Sequence, residues 1–514
     1  MLTEQNKQLR FTILQSKFRY QWQKMKQFDF ANQDILVVPS VSLDPDEAQK
    51  IIGIQYFEER LLFYLFQLRK LQTRLVYITS HRLDPVILNY FLNLVDISAS
   101  QIKGRFLLLS LDDPTPVALT QKILTREDII EQIISFLRLD KVYMVCYNST
   151  FSERDLAVKL NIPLLALNPE LEFLGTKSGS RQVFKECNIP YPKGSELLKN
   201  ADDLAIAVAN LWKSEEKLNR LLIKVNQGFS GHGNALLDLT PLQSVAPSQV
   251  SCTECISAIR KHFKNLKFYA NNATWEMFNK QILNLGAIVE FFIEGEVKCS
   301  PSFQGYITPD GEVEVLSIHD QIMSGEDSQN YVGCRFPANQ AYFSQLQDLG
   351  LSIGKHLARE GVLGDFGVDF VGVYQPSSSS HFQWDFYAVE INLRKCGTTH
   401  PFMLLKLATE GYYNLSDGIF YSQQGCPKYY IAFDKIRKDQ YVGLSPATLI
   451  DIATTHKLHF DRGTETGVIF HLMGGLPTFG MLGLTSIGNS LKQAEEIYDR
   501  MIEVLDNYTA KGQN

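Results

Sequence analysis

Four residues on two neighbouring stretches have the types and spacing to hold a metal ion beside a phosphate. Asp369 lies in Gly364-Asp365-Phe366-Gly367-Val368-Asp369-Phe370-Val371-Gly372-Val373, and Glu390, Asn392 and Arg394 lie in Phe386-Tyr387-Ala388-Val389-Glu390-Ile391-Asn392-Leu393-Arg394. Both stretches alternate apolar with small or polar residues, the period-2 mark of strands, and a Ser/Gln/Pro loop between them makes a hairpin. Alternate strand residues project from one face, so Glu390, Asn392 and Arg394 share a side and Asp369 can lie opposite them. Two carboxylates and an amide oxygen suit Mg²⁺, which takes one or two carboxylates together with waters and substrate phosphates. The planar guanidinium is a fork for phosphate oxygens. Glu390 stands between Val389 and Ile391 in a strand that reads as buried. A buried carboxylate without a partner is costly, so it calls for a cation. A surface hairpin with solvated charges is the competing reading, and the apolar setting argues against it.

A second unit runs Arg220-Leu221-Leu222-Ile223-Lys224-Val225-Asn226-Gln227-Gly228-Phe229-Ser230-Gly231-His232-Gly233-Asn234-Ala235-Leu236-Leu237: a strand ending in a lysine, a Gly-rich turn and a second strand. Glycines let backbone N–H groups approach a polyphosphate closely, and Lys224 adds a fixed positive charge to the same phosphates. It is not a P-loop, since G-K-[ST] is absent and a strand follows rather than a helix. A plain hairpin with a glycine loop is the alternative. A third stretch, Gly286 to Val297, reads as a strand, a short hinge and a turn. Such a hinge can offer backbone groups to an adenine edge and a carboxylate to ribose hydroxyls.

These stretches need a framework. Short apolar runs at 34–39, 74–79, 106–110 and 141–146 read as buried strands, and 45–72, 84–95 and 127–137 as the helices between them. Strands alternating with helices predict a mainly parallel sheet covered on both faces. No G-x-G-x-x-G follows the first strand, so no dinucleotide is assigned. A helix runs from Lys177 past Arg181 and Phe184 to Cys187, ended by Asn188-Ile189-Pro190-Tyr191-Pro192. Further helices are expected over 201–213, 252–284, 338–361 and 490–507, and antiparallel strands around the Pro309-Asp310-Gly311 turn.

The 514 residues predict two to four domains, and 45% apolar with 21% charged residues describe a globular chain. A net charge of −6 gives no support for a nucleic-acid surface. The polar, helical N-terminus lacks a signal-peptide core, and no apolar run reaches the ~20 residues of a membrane helix. Eight scattered cysteines suggest reduced thiols, so a cytoplasmic location is expected. Cys252-Thr253-Glu254-Cys255 lacks a second pair and reads as structural.

In this order the pieces resemble the ATP-grasp superfamily, and in particular its pheganomycin-type peptide ligases, carboxylate–amine ligases with an α/β domain in front. The carrying stretches are Gly175-Thr176-Lys177-Ser178-Gly179-Ser180-Arg181, Leu222-Ile223-Lys224 with its glycine loop, Val289-Glu290-Phe291-Phe292-Ile293-Glu294-Gly295, Asp369, and Glu390 through Pro401. The resemblance implies a mixed α/β and α+β chain. A helical extension (1–30) precedes a pre-ATP-grasp α/β domain (31–172), an ATP-grasp domain (173–428) and a small C-terminal domain (429–514). It also implies that Lys177 and Lys224 bind ATP phosphates under a lid of Gly228, Ser230, Gly231 and Gly233. Glu290 would sit at the adenine hinge, with Glu294 or Glu296 towards the ribose. Asp369, Glu390 and Asn392 would hold Mg²⁺ or Mn²⁺, and Arg394 would join Lys224 in catalysis by facing the transferred phosphoryl group. Thr398, Thr399 and His400 would lie near the acceptor or carboxylate pocket. One departure is Gly367, where related D-alanine–D-alanine ligases carry an arginine; its charge role passes to Arg394. Cys396 reads as structural rather than as a nucleophile, because no base is clearly placed for it.

The implied reaction is ATP-dependent peptide or amide ligation through an acyl phosphate, on a small carboxylate and an amine such as an amino acid or peptide. No nucleic acid or membrane is involved, and a homodimer is the habit of the class. A silent ATP-binding regulator and an ATP-dependent phosphotransferase are the alternatives. The retained carboxylates and lysines argue against the silent one.

Overall fold

A computed structural model describes residues 3–27, 30–228, 233–270, 273–325, 330–376 and 383–511. Its first sheet consists of β1 (Asp34–Val38), β2 (Arg74–Thr79), β3 (Phe106–Ser110) and β4 (Val142–Cys146), all parallel in the order β3-β2-β1-β4. Strand alternation sends Ile35, Val37, Leu75 and Tyr77 to one face and Leu36, Val38, Val76 and Ile78 to the other, and each face is buried in its own apolar core. The N-terminal helix Glu4–Gln27 contributes to both: Phe11 and Leu14 to one core, Phe18, Trp22 and Met25 to the other.

The helix expected over 45–72 is not continuous. A short helix, Pro45–Ala48, is followed by 3₁₀ turns over Ile54–Arg69. Gly53 divides them with a left-handed φ of 68°, a conformation glycine adopts without the steric cost of a Cβ.

The second sheet, β5 (Arg220–Val225), β6 (Asn234–Asp238), β7 (Lys267–Phe268) and β8 (Ala287–Phe291), is antiparallel in the order β7-β6-β5-β8. Leu221, Ile223, Val225, Ala287 and Val289 face a core shared with the helices Ala201–Ser214, Cys252–His262 and Trp275–Leu285. By alternation Lys224 and Glu290 face the opposite way. The single helix expected over 252–284 is two, because β7 intervenes and Thr274 caps a fresh start by accepting from the Met277 N–H.

The large third sheet has eleven strands. They are β9 (Lys298–Cys299), β10 (Pro301–Ile307), β11 (Val313–Ser324), β12 (Asn330–Phe336), β13 (Gly364–Tyr374), β14 (Trp384–Asn392), β15 (Tyr412–Asn414), β16 (Ile419–Tyr421), β17 (Pro427–Arg437), β18 (Gly467–His471) and β19 (Met481–Gly488). The main path runs β14-β13-β10-β11-β12-β17-β16-β15. The helix Phe343–Arg359 buries Leu346, Ile353 and Leu357 against Phe303, Ile318, Phe366 and Val368 on one face of this sheet. On the other face, Ser302, Gln304 and Asp369 of β10 and β13 are polar, while Phe336, Tyr430 and Ala432 of β12 and β17 join the first apolar core.

The C-terminal segment is built onto that sheet: β17 pairs with β12 on one side and β19 on the other, and β18 pairs with β19. It also shares a core with the N-terminal domain, where Phe57, Leu61 and Tyr90 join Leu449, Phe470 and Met481. Among the described residues no helix is long and apolar enough to cross a membrane.

Candidate active site

The pairing of β13 with β14 sets Asp369 directly opposite Glu390 and Gly367 opposite Asn392. Three side chains donate to Asp369: Ser302 Oγ (2.7 Å) and Gln321 Nε2 (3.1 Å) to Oδ1, and Asn392 Nδ2 (3.1 Å) to Oδ2. Gln304 Nε2 in turn donates to Ser302 Oγ at 2.8 Å. Arg394 lies just past the end of β14 and donates from Nη2 to Asn392 Oδ1 at 3.0 Å. Burial pushes the Asp369 carboxyl up to about 6, and the charge of Glu390 adds to the effect. Burial acts on Glu390 in the same direction. The cations Lys177, Lys224 and Arg394 override it and hold that group below the usual carboxylate range.

Lys177, ion-paired with Glu390, is the first residue of the helix Lys177–Glu186. Thr176 caps that helix by accepting from the Gly179 N–H, 3.1 Å away. Gly179 is required by packing, since a Cβ there would stand 1.9 Å from the Phe173 carbonyl oxygen. Ser180 Oγ accepts the Ile391 N–H at 3.1 Å, tying the helix to β14. Asn226 clamps the helix start to the end of β5: its carbonyl accepts the Lys177 N–H and its Oδ1 the Ser178 N–H, both at 2.9 Å. Lys224 pairs with Glu290, whose other oxygen takes Arg181 Nη1 at 3.3 Å. Two lysines are thus held in place, each by a different carboxylate.

These groups line one cleft of about 390 Å³. Lys177, Lys224, Gly228, Gly233, Asp369, Glu390, Asn392, Arg394 and Thr398 all lie on its wall. The N-terminal domain supplies Phe57, Arg60 and Tyr147, and β17 supplies Asp434 and Lys435. Arg60 is ion-paired with Asp434, lies over the Phe57 ring at 4.0 Å and reaches Tyr147 Oη at 3.5 Å.

Not every predicted site residue meets this cleft. Glu290 is 3% exposed, both its oxygens go to Lys224 and Arg181, and its backbone is paired with Leu222 of β5, so it offers neither carboxylate nor backbone to a base. Glu294 pairs with Arg220 (2.9 Å from Nε) in the open, and Glu296 is exposed. Thr399 and His400 are buried behind the cleft wall. Ser230 and Gly231 lie outside the described residues.

The structural reading of Cys396 is consistent with its surroundings. Burial pushes its thiol up to about 12, so it carries no thiolate near neutrality. Gly367, which stands where an arginine was looked for, has no room: a Cβ would meet Gln304 Nε2 at 2.9 Å and Cys396 Sγ at 3.2 Å.

Sequence reasoning missed Ser302, Gln304, Gln321, Asn226, Arg60 and Asp434. Only Arg60, a cation at the head of the apolar run Leu61-Leu62-Phe63, carried a signal in the sequence itself.

A family model described as IQCH-like, ATP-grasp matches residues 169–272 and 248–416. A second, described as the PGM1 C-terminal domain, matches 448–501. The L-propargylglycine–L-glutamate ligase of Streptantibioticus cattleyicolor is 28% identical over 466 residues, 89% of this chain and 90% of that protein. The ATP-grasp match thus spans residues 169–416, the part of the chain that carries the cleft lysines and the β13–β14 hairpin. The IQ motif-containing protein H of Danio rerio is 21% identical over 427 residues, 76% of this chain but only 40% of that longer protein. Among solved structures, a biotin carboxylase from Campylobacter jejuni superposes with a TM-score of 0.55 at 12% identity, covering 94% of this chain and 95% of that one. The biotin carboxylase domain of a 2-oxoglutarate carboxylase from Hydrogenobacter thermophilus gives 0.53 at 14% identity, covering 92% and 89%. Identities this low establish the shared ATP-grasp fold alone.

Proposed function

We propose that this protein is an ATP-dependent ligase that joins the carboxylate of one amino acid to the amine of another, consuming ATP through an acyl phosphate. The observation that carries the reading is the facing pair Asp369 and Glu390 on one cleft wall with Lys177, Lys224 and Arg394 around them. A carboxylate has a poor leaving group, so its oxygen first attacks the γ-phosphorus of ATP, and the β–γ bridge breaks to release ADP. Lys177, Lys224 and Arg394 offset the charge that moves onto the phosphoryl oxygens. The amine then attacks the acyl carbon, inorganic phosphate leaves, and the ammonium sheds its proton.

The donor set fits a hard divalent cation. Burial and the neighbouring Glu390 charge raise Asp369 to about 6, a cost that a cation held between the two carboxylates would relieve. Asp369, Glu390 and Asn392 would hold Mg²⁺ or Mn²⁺, which would shield the phosphates. Phe57, Arg60 and Tyr147 from the N-terminal domain add to the cleft wall, and a walled site helps to protect an acyl phosphate from hydrolysis. The bacterial relative is named for joining two amino acids, which makes amino acids the first substrates to try.

The test is ADP release from Mg²⁺-ATP across a matrix of amino acids and short peptides, singly and in pairs, with mass spectra of every product. The expected result is ADP that depends on two partners, and a product lighter by one water than their sum. A stable phosphorylated product formed without an amine would instead make the protein a phosphotransferase. Tight nucleotide binding with no turnover on any pair would favour the silent reading.

A further inference from the structure

Behind the Arg60 end of the cleft, three side chains from three elements converge. His400 belongs to the helix Thr399–Thr409, Asp434 to β17 and His471 to β18. Their candidate ligand atoms all lie within 4.8 Å of one another. His400 Nε2 stands 3.3 Å from Asp434 Oδ1. Two ligands of a tetrahedral ion with ~2.0 Å bonds are separated by about 3.3 Å. The two imidazoles meet edge to face with centroids 4.3 Å apart, and each is 1% exposed.

The hydrogen bonding divides these atoms into two sets. Both His400 nitrogens, His471 Nδ1 and Asp434 Oδ1 are buried and have no hydrogen-bond partner among the described residues. The atoms on their far sides are held: Asp434 Oδ2 by Arg60, and His471 Nε2 by the Thr485 hydroxyl at 3.3 Å. On Asp434 and His471 one atom is open while the other is held, as in a metal-ligand set, where outer partners orient ligating imidazoles and carboxylates; His400 has both nitrogens open. Leaving several buried polar atoms unpaired is otherwise unfavourable. The backbone makes room for the ring as well, since a Cβ on Gly483 would stand 2.1 Å from His471 Nδ1. Burial keeps both imidazoles neutral, the form that binds metals.

We propose that His400, Asp434 and His471 bind a Zn²⁺ ion, separate from the cation of the ATP end, with a fourth position for water. Arg60 shares Asp434 and weighs against a cation held by charge alone. The two nitrogens must therefore supply much of the affinity, which favours zinc over magnesium. Bound there, the ion fastens the helix that follows the metal-binding hairpin to the C-terminal strands. It also fixes the carboxylate that holds Arg60.

The experiment uses the full chain, treated with a chelator and titrated with Co²⁺ alone, a spectroscopic substitute for zinc. The expected result is one equivalent bound with a visible d–d band, displaced by Zn²⁺. The band should persist in Glu390→Gln, which lies in the ATP end, and vanish in His400→Gln and His471→Gln. Circular dichroism checks that these variants fold. Should they not, Thr485→Val removes only the outer partner of His471 and should weaken Co²⁺ binding about tenfold. No band in the wild-type chain overturns the proposal. So does a band unchanged in a folded His400→Gln or His471→Gln variant, or an unaltered affinity in Thr485→Val when the histidine variants do not fold.

Discussion

The two ends of the cleft satisfy their polar groups in opposite ways. Around Asp369 the charges are matched within the protein: Lys177 with Glu390, Lys224 with Glu290, and Asp369 with three donors. Around Asp434 several atoms are unmatched, among them Arg60 Nε, Thr398 Oγ1 and Asp434 Oδ1. Matched groups are pre-positioned and must exchange partners when a ligand arrives. Unmatched ones gain partners from the ligand. The first end is therefore built for a ligand carrying its own counter-charges, such as a nucleotide with its cation. The second suits groups that bring fresh donors and acceptors.

The largest effect expected at the matched end is on chemistry. Glu390→Gln should cut ADP formation by about 10³-fold while the circular dichroism spectrum is unchanged. Turnover within tenfold of wild type would remove Glu390 from the reaction.

Breaking the two lysine pairs separates anchoring from catalysis. Glu290 is 3% exposed, so Lys224→Met strands a buried carboxylate with only Arg181 and should cost about 3–5 kcal/mol in denaturant unfolding. The Glu390 side chain is 28% exposed to the cleft and can be rehydrated, so Lys177→Met should cost ~1 kcal/mol or less while still abolishing ADP release. Equal losses of stability would erase the distinction.

Acidity sharpens the comparison further. With its folded value raised from 3.8 to about 6, Asp369 holds a proton more readily in the folded chain than in the unfolded one. Between those values the folded state binds more protons, so this group makes the cation-free protein less stable as pH rises. A bound cation offsets that loss only where Asp369 is ionised. Mg²⁺ with ATP should therefore raise Tm more at about pH 7.5 than at about pH 5.5, and Asp369→Asn should remove the difference. The smallest effect belongs to Cys396: with its thiol at about 12, Cys396→Ser should retain activity within about twofold, and iodoacetamide should leave Cys396 unlabelled at neutral pH.

How much of this could be read from the sequence follows from where the information sits. Period-2 patterning in two adjacent stretches sufficed to place Asp369 across from Glu390, because a hairpin's register is local. The donors that hold Asp369 were illegible. Ser302 and Gln321 come from β10 and β11, and nothing in their own stretches says which strand pairs with β13. Asn226 sits beside the glycine loop, yet its task of holding Lys177 depends on a helix that begins 49 residues earlier. The broken helix after residue 45 was signalled by Gly53, but a glycine inside an apolar periodic run is an ambiguous mark. The resemblance puts Glu290 at the adenine hinge; only the fold shows that Lys224 and Arg181 already occupy its carboxylate.

Strand β17 carries a consequence for how this protein can be cut and recombined. Ala432 faces Cys334 of β12 on one side and Thr485 of β19 on the other. Removing everything after residue 428 would bare the backbone donors and acceptors of β12, an open edge that invites pairing with another chain and aggregation. A chimaera that exchanges the last segment between related ligases must therefore bring in a strand whose register fits β12, so the terminal portion cannot be swapped as an independent module.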